Sequence, residues 1–303
     1  TATVSQAAVF LVKGGTAQAV VVIPVDPADT LTTSAQKPPT GGRIAGMDLA
    51  PADALKTAVQ ELQEHVRGIS GAELSVAVLG GEPKDAKIRI LLGAAADASL
   101  DTMIRQKGND PGAFALVVAG NTVQIRGLSD EGTLFGVYEL LEQLGVRWFF
   151  PGPLGTVIPQ SKDLSVAEQR TVQVPSFKAR RTTGGQISKP GEKEHRSAWQ
   201  RRMRMGGPIL PSAHGIDLPK GFEFEKHPEY YSLINGERRN RQICISNPEV
   251  IKGVIEMYKA SIRADPTKER WTGIGPNDGG GYCECPACRA LDVFPGERVD
   301  LGG

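Results

Sequence analysis

Apolar residues along this chain recur at two spacings, and those spacings divide it into elements. Two strand-sized apolar runs, Ala7 to Val12 and Ala19 to Val25, flank the turn pair Gly14-Gly15 and predict a hairpin. A polar, Pro- and Gly-rich stretch covers 33–42. From Pro51 the spacing changes to three and four, with Leu55, Ala58, Val59, Leu62, Val66 and Ile69 on one face. That is an amphipathic helix, with Pro51 near its first turn and Gly71 just past its end. Short β-rich runs follow at 74–79, 87–92, 113–118 and 122–126. They are broken by Gly80-Gly81, by a polar helical stretch around 98–107 and by Gly120-Asn121, which predicts a tight hairpin. A second helix begins near Asp130, capped by Ser129 or Asp130. It turns Leu134, Val137, Tyr138, Leu141 and Leu144 inward and stops at Gly145. Strands followed by helices packed on one face predict an α+β layer domain over residues 1–173.

From Phe177 loops dominate. Strand candidates recur at 177–182, 208–211, 242–246 and 271–275, and a helix between the last two carries Val250, Val254, Met257, Tyr258 and Ile262 on its inner face. Strand, helix and strand in that order form a βαβ unit, which predicts a parallel sheet in a second region, 174–303. The final residues follow a helix-like segment with no closing element, so this second region reads as truncated.

Composition narrows the function classes. A length of 303 residues suits two domains, and 40% hydrophobic with 23% charged residues is ordinary for a folded chain. Lys+Arg 35 against Asp+Glu 34 supplies no basic excess for nucleic acid. No apolar run approaches the roughly 18 to 20 residues of a membrane span. The chain opens on Thr1, and its first segment lacks the order of a signal peptide, as expected where a leader has already been removed.

The run from Gly132 to Pro151, GTLFGVYELLEQLGVRWFFP, resembles the closing helix and strand of the N-terminal α+β domain of α-glucuronidases and β-hexosaminidases. WQRRMRMGG at 199–207, HPEYYSLINGERR at 227–239, QICISNPEV at 242–250 and GPNDGGGYCECPACRALD at 275–292 are similar to the bacterial domain-of-unknown-function family 4838. Together the resemblances cover nearly the whole chain. They imply a β-hexosaminidase domain 2-like α+β domain followed by the first half of a (β/α)8 TIM-type barrel, in a secreted or periplasmic protein that acts on carbohydrate. They imply no catalytic residue that can be copied across.

In such a barrel the working residues sit at the C-terminal ends of the strands. Asp278 follows the apolar run 271–274 and the Gly275-Pro276 turn, where it is a candidate for one of the two carboxyl groups a glycosidase needs. The alternative is that Asn277 and Asp278 cap the loop or the next helix. His214, in Pro211-Ser-Ala-His-Gly215, is placed to meet a sugar hydroxyl or orient a carboxylate, or else is tied to a loop carbonyl. Asn277 is a further substrate-binding candidate. Trp199 and Tyr282 offer rings that could stack on a pyranose face, with core packing the other reading for Trp199. Among Arg201, Arg202 and Arg204, Arg202 is the candidate for pairing with an acidic sugar, against a merely solvated helix face.

The sharpest local signal is Cys283-x-Cys285-x2-Cys288, joined by Cys244 from the preceding strand. Four thiolates make a closed, structural zinc site, while in an exported protein the same even number makes two disulfides. Both readings stand at this point, and in either the cluster pins the loop carrying Asn277 and Asp278. No cofactor is expected for catalysis. Two function classes remain: a glycoside-hydrolase-like enzyme acting on polysaccharide or oligosaccharide, possibly containing uronic acid, and a non-catalytic carbohydrate-binding or scaffold protein on the same fold.

Overall fold

The computed structural model describes residues 7–24, 51–180, 192–207, 215–216, 218–264 and 275–292. The chain divides into two compact units, 1–208 and 209–303. Each is described by itself.

In the first unit β1 (Ala8–Lys13) turns through Gly14 and Gly15 into the short β2 (Thr16–Ala17), with Lys13 opposite Thr16. Both glycines have positive φ, as a two-residue hairpin turn demands. The expected hairpin partner, β3 (Ala19–Ile23), instead leaves for another sheet. Its five residues are all buried, and such a run needs cover on both faces, which an outer hairpin cannot supply. β3 lies between β4 (Ser75–Val78) and β5 (Ile88–Leu92), parallel to both. β6 (Phe114–Ala119) and β7 (Thr122–Gly127) form the hairpin predicted at Gly120-Asn121, with Ala119 opposite Thr122. After β8 (Arg147–Trp148), β9 (Thr156–Val157) and β10 (Leu164–Ala167) comes β11 (Gln169–Gln173), which completes a six-stranded mixed sheet in the order β11-β6-β7-β5-β3-β4. β10 returns to pair with β1.

Alternation along β3 sorts the core. Val21 and Ile23 face a large apolar cluster with helices α1 (Pro51–Ser70) and α3 (Asp130–Gln143), while Val20 and Val22 face a smaller one with α2 (Ser99–Arg105). The α1 positions predicted to point inward, Leu55, Ala58, Val59, Leu62, Val66 and Ile69, are all buried. Ser129 caps α3 by accepting from the Gly132 amide. Gly136 lets α3 lie directly on the sheet, since a Cβ there would run into Ile125. The unit also contains α4 (Glu192–Arg202) and an isolated bridge between Arg180 and Gly206.

The second unit's described elements are a hairpin of β12 (Tyr231–Ile234) and β13 (Glu237–Ile243), helix α5 (Pro248–Ala264) and the single turn α6 (Pro286–Arg289). Asn235 and Gly236, both with positive φ, make the hairpin turn. An Asn-Gly pair between β-rich runs is the strongest local signal for such a turn, and sequence reading had passed over it. The helix predicted around 250–262 is α5, whose Val250 and Val254 are buried while Ile262 is exposed. The strands expected at 208–211 and 271–275 fall wholly or largely outside the described residues. The architecture is mixed α/β, and among the described residues no helix is long and apolar enough to cross a membrane.

Candidate functional site

The four cysteines converge. Cys244 follows β13, Cys283 and Cys285 lie on the approach to α6, and Cys288 lies within it. All four Sγ atoms lie within 4.8 Å of one another. Cys244 Sγ is 3.7 Å from both Cys285 Sγ and Cys288 Sγ. Four sulfurs held about 2.3 Å from a tetrahedral ion stand about 3.8 Å apart, whereas a disulfide brings its two to about 2.05 Å. All four are free thiols. The spacing therefore fits a metal ion, and a shell of four sulfurs leaves no open position for chemistry.

The surroundings are those of a thiolate cluster. Cys283 Sγ accepts from the Leu233 amide at 3.4 Å and from Arg238 at 3.8 Å, and Cys285 Sγ accepts from the Cys288 amide at 3.4 Å. Ser246 Oγ lies 3.0 Å from Cys288 Sγ and 3.5 Å from both Cys244 Sγ and Cys285 Sγ. Hydrogen bonding by Ser246 and by the Cys288 amide holds the half-buried Cys285 thiol down to about 6, while burial pushes Cys288 up to about 12. Bare thiols so divided titrate as a set, and a bound cation would draw all four to the thiolate form. Ser246 was not foreseen, and a single serine near a cysteine carries no pattern by which it could have been.

The loop 275–282 is fixed from two sides. On one side Cys283 and Glu284 anchor it, the Glu284 amide donating to Leu233 O at 2.7 Å and its carboxylate accepting from the Asn235 amide at 2.9 Å. On the other side Gln242, buried in β13, pairs with the loop backbone as a strand would. Its Oε1 accepts from the Asn277 amide at 2.8 Å, and its Nε2 donates to Asn277 O at 2.9 Å and Gly279 O at 3.3 Å. Asn277 Nδ2 donates to Arg241 O at 2.7 Å. Gly281 has φ +91, and a Cβ there would meet Arg241 Cγ at 2.6 Å, so the loop wraps closely over that arginine's stem. The result leaves Asp278 and Tyr282 exposed on a backbone that is held, with Arg241 packed against Gly279 and Gly281 of the same loop.

The predicted site residues thus separate. Asn277 has the loop-fixing role that was its alternative reading, and Asp278 and Tyr282 share its loop. His214 lies outside the described residues. Trp199 and Arg202 belong to the first unit. Trp199 packs against the large core and donates to Trp148 O at 3.1 Å, in agreement with the core-packing alternative. Arg202 lies over the Trp148 ring, 5.5 Å from its centroid, and holds the buried Glu61 carboxylate through Nε and a terminal nitrogen, with contacts of 3.0 to 3.2 Å. Arg204 pairs with Glu139 and Glu142, and Arg180 with Asp110. These arginines join α4 and its surroundings to the acids of the same unit.

Comparison with known proteins adds the following. The family model described as "Domain of unknown function (DUF4838)" matches residues 150–301. A protein of Aspergillus terreus (strain NIH 2624 / FGSC A1156) named "Probable alpha-glucuronidase A" is 35% identical over 109 residues, which are 34% of this chain and 12% of that protein. Among solved structures, a family GH115 4-O-methyl-α-glucuronidase with specificity for decorated arabinogalactans aligns with 89% of this chain and 38% of its own, at 16% identity and TM-score 0.38. A GH20 exo β-N-acetylglucosaminidase from Vibrio harveyi aligns with 59% of this chain and 18% of its own, at 17% identity and TM-score 0.30.

Proposed function

We propose, from the premise that this chain belongs to the DUF4838 family, that it is a glycoside-hydrolase-like protein acting on polysaccharide or oligosaccharide outside the cytoplasm. In this reading the second unit contributes to a barrel of the kind the sequence resemblance implies, and the loop of Asn277 to Tyr282 faces the sugar. The 35% identity to a protein named as a probable α-glucuronidase supports the substrate class, and an acidic sugar is the first to try. The four sulfurs hold zinc, whose contribution is structural cross-linking of β13, the loop and α6.

The observation that carries the site is the way the loop is held. Its backbone is engaged by Gln242 and its far end by the sulfur cluster, while Asp278 and Tyr282 remain exposed. A carboxylate and an exposed ring carried on one fixed loop are suited to a pyranose, the ring covering the C–H face and the carboxylate taking a hydroxyl or the glycosidic proton.

The test compares the full-length protein with Asp278→Asn on a panel of polysaccharides that includes uronic-acid-containing ones, following binding and reducing-end release. We expect release that falls by about 100-fold or more in the variant while binding persists. Binding without release by either protein would replace the enzyme with a carbohydrate-binding protein. Absence of both would sink the carbohydrate reading.

A further inference from the structure

The sulfur cluster joins segments that lie far apart along the chain, and its four members are not equivalent. Cys244 is separated by 41 positions from Cys285, with the whole of α5 between them. Cys244, Cys283 and Cys288 are buried, while Cys285 is partly exposed at the N-cap of α6, beside the exposed Pro286 and Ala287. A reagent in solution therefore meets Cys285 first. Behind it stands Cys244, whose Sγ is 3.7 Å away. Cys288 lies equally near Cys244, at 3.7 Å, but is the more enclosed of the two cysteines of that turn.

Hydrogen bonds around the cluster sort the other two sulfurs. Cys283 Sγ has partners in the hairpin, the Leu233 amide at 3.4 Å and Arg238 at 3.8 Å. Cys288 Sγ has Ser246 Oγ at 3.0 Å, closer than that hydroxyl comes to Cys244 or Cys285. A bond between Cys244 and Cys285 thus leaves two thiols that already have polar neighbours. Joining Cys285 to Cys288 instead would link one turn of α6 to itself and leave Cys244 unattached. A bond from Cys244 to α6 closes a long loop, the kind of cross-link that restricts the unfolded chain most.

We propose, resting on the zinc reading given above, that Cys244 and Cys285 are a reversible disulfide pair, and that oxidation by a small-molecule disulfide replaces the metal with a covalent link between the same elements, the end of β13 and α6. The Cys285 thiolate attacks the small disulfide, forming a mixed disulfide and releasing one small thiolate. The Cys244 thiolate then attacks the Cys285 sulfur and displaces the second. Two cysteine thiolates are thereby oxidised to one protein disulfide, and the small disulfide is reduced to two thiols that take their protons from solvent. Zinc, left with two of its four ligands, departs, and Cys283 and Cys288 take up protons and remain as thiols. The bonded sulfurs close from 3.7 Å to about 2.05 Å. The unit is thus fastened in reducing surroundings by the ion and in oxidising ones by the bridge.

The experiment starts from the zinc-loaded full chain and titrates in oxidised glutathione while a chromogenic chelator follows zinc release. Remaining thiols are alkylated and the bridged peptides mapped without reduction. Hydrogen exchange of 231–264 is read in the zinc-bound form, the oxidised zinc-free form and the reduced zinc-free form. Zinc release that tracks formation of the Cys244–Cys285 bridge, with Cys283 and Cys288 alkylated, is the expected result. Exchange over 231–264 should be at least about tenfold slower in the oxidised form than in the reduced zinc-free form, and dithiothreitol with zinc should restore the starting state. Cys288→Ser should still form the bridge on oxidation, and Cys285→Ser should gain no protection from it. If Cys285→Ser fails to fold, the wild-type peptide map and exchange decide. Zinc kept throughout, a different pairing, or a bridge that brings no protection overturns the proposal. A reduced chain that takes up no zinc brings down the metal reading and the proposal together, whereas zinc uptake followed by any of those outcomes brings down the proposal alone.

Discussion

The two units keep their structure by different means. In the first, a mixed sheet buries apolar side chains on both faces, and Leu11, Ile23, Leu62, Ile90, Phe114, Phe135 and Tyr138 are fully enclosed. In the second, the described buried cluster is Cys244, Cys283 and Cys288, with Leu233 and Cys285 against it. One unit is stabilised by area removed from water. The other has little such area among its described residues and, on the zinc reading proposed above, depends on a cross-link whose strength comes from thiolate–metal bonds. A chain of about a hundred residues can remain ordered with so small an apolar centre when an ion fastens it.

That contrast can be broken most forcefully at the sulfurs. Chelation, or Cys244→Ser, should unfold the second unit and leave the first intact, because structural zinc contributes on the order of 10 kcal/mol in small metal-held domains. Hydrogen exchange resolved by segment checks this. Fast exchange over 231–264 with unchanged protection over 114–141 is expected, and equal loss in both would show a single cooperative core. The mirror experiment is Leu62→Ala, which should lower the stability of the first unit by about 2–5 kcal/mol and leave zinc retention untouched. Denaturant unfolding read alongside a zinc-release assay separates the two.

The smallest expected effect sharpens the first unit's own account. His65 is buried beside Glu61, and burial lowers its pKa from the ordinary value of 6.5. The unfolded chain therefore binds the proton more readily. Stability is full above pH 6.5, declines as the pH falls from 6.5 toward the folded value, and levels off below that. The slope in this window is at most about 1.4 kcal/mol per pH unit. Urea unfolding at pH 7.5, 6.5 and 5.5 should show it, and His65→Gln should remove it. A wild-type slope that appears only below pH 4 would assign the acid sensitivity to carboxylates such as Asp101, which its hydrogen bond to Arg126 holds below the usual range.

Sequence legibility follows the same division. α1, α3 and the β6–β7 hairpin were readable because their spacing, their cap and their turn pair are local signals backed by burial. β3 was misassigned because its destination depends on a long-range choice, the interior of a six-stranded sheet, that a continuous apolar run does not encode. In the second unit, identity and spacing foretold the sulfur cluster, since metal-ligating residues are rare and chemically distinct. Gln242 gave no such warning. A buried glutamine looks like a surface residue until the backbone groups around it are in place.

The amide of Gln242 reads the loop through its main chain and is indifferent to what side chains project from it. Shape and chemistry are thereby separable at this rim. Asn277, Gly279 and Gly281 are committed to the path of the chain, whereas the exposed Asp278 and Tyr282 project from it. Relatives could exchange one ligand for another by changing those two positions while inheriting the frame that Gln242 holds.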